Sequence, residues 1–328
     1  MTMTTTPVNN PDIIPAGQDP VARLAAKRYK DDLFREWSGP ATHLAAETQR
    51  LAQLSWNNFT VYQIGSTLGA EINGLDLREE LSDEVIAELA QALAEYKVIF
   101  FRNQPITSEQ HVAFARRFGE LEFHPFIPSN TSSPELVRFE KSAEVAGYEN
   151  SWHHDVTWRE IPSKAAVLHA IQIPPVGGDT LFSDMSAAYD ALEPEIQEQI
   201  ENLDAIHDFM RSFGGQIPPG QEDEIRKKYP IVHHPVVVRH PVTGRKCLYV
   251  NRNFTTGFVG MPEEEGRELL RRLCAQAAVV EHQIRFRWQK DSIAMWDNMA
   301  VQHYASSDYW PQIRVMERAS IIGTRPTR

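Results

Sequence analysis

Trp152-His153-His154-Asp155-Val156-Thr157-Trp158 is the stretch from which the rest of the chain can be read. His153 and Asp155 are separated by one residue, and Val156, Thr157 and Trp158 favour extended backbone. In a strand, alternate side chains share a face. The spacing therefore predicts that His153 and Asp155 aim together while His154 turns away. An imidazole and a carboxylate on one face are two legs of a three-legged metal site, and a distant His303, in Trp296-Asp297-Asn298-Met299-Ala300-Val301-Gln302-His303, offers the third. Two histidines and one carboxylate on one side of an octahedron are the facial triad of non-haem Fe(II) oxygenases.

A lone His-x-Asp is more often a surface pair than a metal site. Two further stretches argue against that reading here. Arg314-Val315-Met316-Glu317-Arg318-Ala319-Ser320 follows His303, and strand alternation puts Arg314, Met316, Arg318 and Ser320 on one face. Gly177-Gly178-Asp179-Thr180-Leu181-Phe182 follows the first ligand pair.

With these stretches in order, the chain resembles the taurine dioxygenase (TauD/TfdA-like) family of Fe(II)/2-oxoglutarate-dependent dioxygenases. The likeness runs from about Phe59 to Arg325. It is carried by Trp152 to Thr157, Gly177 to Thr180, His240-Pro241-Val242-Thr243-Gly244-Arg245-Lys246, Asn251 to Thr256, Trp296 to Ala305, and Asp308 to Ala319. The resemblance implies a double-stranded β-helix (a jelly roll, cupin-like). It implies Fe(II) on His153, Asp155 and His303, with 2-oxoglutarate and O2 as co-substrates. The far carboxylate of 2-oxoglutarate would meet Arg314, whose planar guanidinium suits a carboxylate, and the Thr180 hydroxyl.

Arg318 lies about 13 Å along the same strand face from Arg314, too far for one carboxylate to hold both. It is left for a second anion, as the family's matching Arg holds a sulfonate. His124 matches the family's substrate-binding His. The family's Tyr three residues on is Ile127 here, and its Asn falls at Glu149 or Asn150. Val156, Trp158 and Phe254 match pocket-lining positions and add apolar surface. The implied reaction converts 2-oxoglutarate to succinate and CO2 and hydroxylates a small anionic molecule. An alkyl sulfonate or sulfate ester would then break down to an aldehyde plus sulfite or sulfate. A carboxylate (an aryloxyalkanoate, amino acid or natural-product intermediate) is the alternative. Two other classes compete: a silent jelly-roll binding protein, which need not keep all three metal ligands, and a metal hydrolase, which need not keep Arg314 and Thr180.

The 328 residues carry 44 acidic against 33 basic side chains, a net charge of −11, and no basic run of the kind nucleic acid attracts. No apolar stretch is long enough for a membrane span, and Met1 to Asn10 lacks a signal-peptide pattern. Cys247 and Cys274 read as buried free thiols, which fits a cytoplasmic protein. A homo-oligomer, dimer or tetramer, is expected.

In chain order, 1–20 reads as a disordered polar tail and 21–55 as a helical extension broken at Gly39-Pro40. The oxygenase body is 56–328. Ser82 is placed to cap a helix and Thr107 with Gln110 to form a capping box. Val98 to Phe101 reads as a buried strand. The span 123–151 reads as one long loop, a natural lid; 186–203 reads as one helix, and 214–229 as a second mobile loop. Glu263 to Ala278 reads as a helix among late strands. His233 and His234 face opposite ways and read as structural; His43, His111, His169, His207, His240 and His282 carry no usable motif. Late strands with flanking helices make the expected class mainly β (α+β).

Overall fold

The structure, a computed structural model, describes residues 40–124, 129–147 and 149–328. The expected tail at 1–20 and the first part of the expected helical extension lie outside the described residues, as does Ile127.

Fifteen strands form the described β-structure. The early ones are β1 (Thr60–Gln63), β2 (Ala70–Asn73), β3 (Val98–Phe101), β4 (Leu136–Lys141), β5 (Ser163–Gln172) and β6 (Thr180–Asp184). Then come β7 (Asp204–His207), β8 (Val232–Pro235), β9 (Val237–Arg239), β10 (Lys246–Leu248) and β11 (Thr255–Phe258). The last are β12 (Gln283–Phe286), β13 (Ile293–Asp297), β14 (Val301–Ala305) and β15 (Arg314–Ile322). A seven-stranded sheet has the order β1-β2-β3-β13-β5-β15-β4, and a three-stranded sheet the order β12-β6-β14. Apart from the β2–β3 contact, every pairing in them is antiparallel.

Strand alternation builds the layers. Val98, Phe100, Ala166, Leu168, Ala294, Trp296 and Met316 of the large sheet share one buried cluster with Phe182, Ile284, Phe286 and Val301 of the small sheet. The sheets therefore face each other, with Phe100 stacked on Phe286 at 3.9 Å. The alternate residues Ile99, Phe101, Val167, Met295 and Ile321 pack on the other side with helices Asp83–Tyr96 and Ser108–Arg116. This is the helix-buttressed jelly roll that the sequence predicts.

Both predicted caps are present. Ser82 accepts from the Val85 N–H, and Thr107 and Gln110 close a reciprocal capping box. Both cysteines are free and buried.

Three expectations need correction. The supposed loop 123–151 contains β4, which pairs with β15 at the sheet edge. Leu136, Val137 and Phe139 supply its apolar contacts, but Pro134 and the preceding serines hide so short a run. The single helix expected over 186–203 is two, Met185–Asp190 and Pro194–Ile200, because Pro194 can only begin a helix. The second expected loop, 214–229, holds helix Glu222–Lys228, and helix Met210–Phe213 directly precedes it. Their apolar side chains Met210, Phe213 and Ile225 pack against Val156, Trp158, Phe209 and Phe254, a lobe beside the site.

Candidate active site

His153 and Asp155 do not lie in a strand, contrary to the expectation from spacing. His153 makes a single antiparallel bridge to His303 of β14, with paired backbone bonds of 3.2 and 2.9 Å. The chain then enters a turn in which Val156 takes φ +48°. A β-branched residue rarely adopts that conformation, so distant contacts must hold it there. Asn298 accepts from the Asp155 N–H at 2.7 Å and donates to the Asp155 and Ser163 carbonyls at 2.9 and 2.8 Å. Asn251 and His207 both bond the Thr157 hydroxyl at 3.0 Å, and His234 reaches the Thr157 carbonyl at 3.0 Å. His234 is thus structural as expected, and His207 gains a role that the sequence did not suggest.

That clasp brings together the three residues chosen from the sequence. One donor atom each from His153, Asp155 and His303 lies within 4.8 Å of the others, the one such group among the described residues. His153 Nδ1 sits 2.8 Å from the Ser151 carbonyl. A carbonyl only accepts, so the proton is on Nδ1 and the Nε2 lone pair is left for a metal. Burial holds the His303 imidazole well below its usual value and so neutral. Burial would push the Asp155 carboxyl up, but Arg318 opposes this and the value falls to about 2. The His153 Nε2, the neutral His303 imidazole and the ionised Asp155 carboxylate make a donor set that suits a divalent cation. His154 points away, buried against the Tyr249 ring at 4.7 Å.

Asn298→Ala removes three buried hydrogen bonds at this turn. A stability loss of about 1–3 kcal/mol is expected, measured by urea denaturation of metal-free protein, together with weaker metal binding. Unchanged metal affinity would show that the turn does not need Asn298.

The triad opens into a cavity of about 490 Å³. Thr180, on β6 next to the His303 strand β14, lines it with Arg314 and Arg318 of β15. Trp288 Nε1 donates to the Thr180 hydroxyl at 2.9 Å, leaving the hydroxyl's own proton to donate elsewhere. The sequence reading overlooked Trp288, although alternation with Ile284 and Phe286 would have pointed it inward. Arg314 Nε bonds the Gly178 carbonyl at 3.1 Å, while its buried Nη2 has no partner among the described residues. Gly178, at φ +73°, brings its backbone so near that a Cβ would meet the Arg314 side chain at 3.1 Å.

Arg318 is not free, contrary to expectation. Its Nη1 bonds both Asp155 oxygens, at 2.8 and 3.0 Å, while Nε stays buried and unpartnered among the described residues. His124 also lines the cavity. Burial, then Arg318 and Arg159, lowers its imidazole to about 3, so it is neutral. Val156, Trp158 and Phe254 form an apolar wall, joined by Phe213, which the sequence did not single out. Glu149 lines the cavity and is paired with Lys141 at 2.7 Å. Asn150 is exposed and is not among the residues that line the cavity. Lys141 and Tyr309 are further lining residues that the sequence did not reveal.

The family model for the taurine catabolism dioxygenase TauD, TfdA family, matches residues 60–320. The chain belongs to this family. It is 33% identical over 265 residues to an alkylsulfatase of Acinetobacter baylyi, covering 78% of this chain and 82% of that one. It is 31% identical to an alpha-ketoglutarate-dependent sulfate ester dioxygenase of Pseudomonas putida, covering 81% and 90%. Among solved structures it resembles a putative alpha-ketoglutarate-dependent taurine dioxygenase from Burkholderia xenovorans. That match has a TM-score of 0.72 at 34% identity and covers 82% of this chain and 94% of that one. The TauD/TfdA chain described here is accordingly a 2-oxoglutarate-dependent dioxygenase with a jelly-roll fold.

Proposed function

We propose that the enzyme hydroxylates a small monoanionic sulfate ester or alkyl sulfonate at the carbon bearing the sulfur-containing group, using Fe(II) held by His153, Asp155 and His303. The observation that carries this reading is the pair of buried arginines in one cavity. Arg314 and Arg318 each keep an N–H without an acceptor among the described residues, and buried donors normally find partners. Two such points on one strand suit two anionic ligands. Arg314 and Thr180 would hold the far carboxylate of 2-oxoglutarate. Arg318, with His124, would hold the anionic head of the substrate, and the apolar wall of Val156, Trp158 and Phe254 would take its tail. The names of the sulfate-ester relatives agree with this division.

When bound, the metal with 2-oxoglutarate and O2 would supply the oxidising power. This chain's residues orient and enclose the ligands. Asn298 and Ser151 fix the donor atoms, Trp288 fixes the Thr180 hydroxyl, and the lobe of Phe209, Phe213 and Phe254 excludes water. A hydroxyl placed on the carbon next to a sulfate-ester oxygen gives an unstable product, which releases aldehyde, sulfate and a proton. With a sulfonate the release is aldehyde and sulfite.

The test is anaerobic titration of the enzyme with Fe(II) and 2-oxoglutarate, followed through the visible charge-transfer band. Addition of sulfate esters, sulfonates and aryloxyalkanoate carboxylates in turn should perturb the band most strongly with a sulfate ester or sulfonate. Perturbation by carboxylates alone would overturn the substrate class. In the same assay Arg314→Ala should raise the 2-oxoglutarate requirement at least tenfold, about 1.4 kcal/mol. Thr180→Val should cost about 1 kcal/mol. An Arg314→Ala enzyme with unchanged affinity would remove the clamp from this account.

A further inference from the structure

Lys141 ends the edge strand β4 and stands in register opposite Arg314. Its side chain is only 9% exposed, yet it lines the substrate cavity, with Nζ 2.7 Å from Glu149 Oε1. Glu149 lies on the approach to the first metal ligand, and its carbonyl accepts the Ser151 N–H at 2.9 Å. Among the described residues, three carboxylates line the cavity: Glu140, Glu149 and Asp155. Asp155 is engaged by Arg318, and Glu140 pairs with Arg138 at 3.2 Å. Glu149 is the remaining group to which a cationic substrate tail could turn, and Lys141 already holds it. An unpaired charge in so enclosed a place is costly, so a substrate ammonium would have to displace a tethered one.

We infer that Lys141 sets the charge selectivity of the cavity: its ion pair with Glu149 keeps ammonium-bearing sulfonates out, and losing it turns the site toward zwitterionic substrates. This rests on the sulfonate and sulfate-ester reading above. It goes further in naming the residue that separates one sulfonate from another of the same size. A purely structural brace behaves differently, because its loss weakens every substrate alike.

The experiment compares taurine with propane-1-sulfonate, which carries a methyl group where taurine has its ammonium. Each is titrated calorimetrically into zinc-loaded, 2-oxoglutarate-bound enzyme, and each is assayed for sulfite release by the iron enzyme. Wild type should prefer propane-1-sulfonate. In Lys141→Met the ratio of taurine to propane-1-sulfonate affinity should rise at least tenfold. Lys141→Arg should keep the wild-type ratio, and Lys141→Met/Glu149→Gln should lose the gain. The ratio is insensitive to partial misfolding, because both ligands meet the same active fraction. A ratio unchanged in Lys141→Met, with propane-1-sulfonate still bound, overturns this inference alone. So does a loss of 2-oxoglutarate binding without a change of ratio, which would mean that the released Glu149 had turned to Arg314. A wild type that binds neither sulfonates nor sulfate esters overturns the substrate reading and this inference with it.

Discussion

His153→Ala, Asp155→Ala and His303→Ala each abolish turnover and nearly all metal binding, while His154→Ala keeps the metal. The expected loss of affinity exceeds the roughly 10- to 100-fold that follows from removing a hydrogen-bond partner of a ligand. Each variant removes one of three donor atoms that lie within 4.8 Å of one another. No other His, Cys, Asp or Glu among the described residues joins that group to replace it. His154 is the matched control. It lies between His153 and Asp155 in sequence and is as deeply buried, but its ring faces Tyr249 rather than the triad. His154→Ala should lower stability through the space it leaves and still bind iron. Equilibrium dialysis with metal analysis checks all four. A His154→Ala protein without metal beside a His153→Ala protein with it would reverse the assignment of the two imidazoles.

The parts of this site that were legible from sequence are those written locally. Alternation in Arg314, Met316 and Arg318 placed three side chains on one cavity wall, and β15 holds them there. The caps at Ser82 and Thr107 depend only on residues three positions on, and both form. The His-x-Asp spacing picked out two residues that the fold does bring together with His303, for a reason that proved incomplete. A turn with Val156 at φ +48° aims them, and no local preference of valine suggests that turn. It is imposed by Asn298, Asn251, His207 and His234, which arrive from far along the chain.

The same holds for every misread partner. Arg318 meets Asp155, Lys141 meets Glu149 and Trp288 meets Thr180 because strands β15, β4 and β6 carry one partner of each pair up to a turn or loop that holds the other, not because of spacing in sequence. A residue type states what an arginine can bind. Only the register of β15 against β4 and β5 decides what stands within its reach.

Arg318→Ala is expected to show two separable losses, because its guanidinium has two duties. The first is to Asp155. Arg318 is the opposing charge that holds this buried carboxyl at about 2, against burial, which would raise it. Removing one partner of a buried pair typically costs about 3–5 kcal/mol, so metal-free Arg318→Ala should be destabilised by about that much at pH 7. The dependence on pH has a definite sign. The folded value lies below the unfolded value of about 3.9, so in wild type the contribution is complete above that value and is lost as pH falls toward 2. In the variant, the largest charge that opposes burial is gone, and the penalty grows as pH rises through about 4. Urea denaturation should therefore show a wide gap between the two proteins at pH 7 that narrows by pH 3. Saturating Zn2+ should narrow it as well, since the metal gives Asp155 a new counter-charge. The second duty is toward the substrate. With metal restored, the variant should still bind 2-oxoglutarate through Arg314 but lose sulfate esters and sulfonates by about 2–5 kcal/mol, read from the visible band. A gap in stability that is the same at both pH values would remove Asp155 as its cause. Retained sulfonate binding in the metal-loaded variant would confine Arg318 to holding Asp155 and leave His124 as the residue to test for the substrate anion.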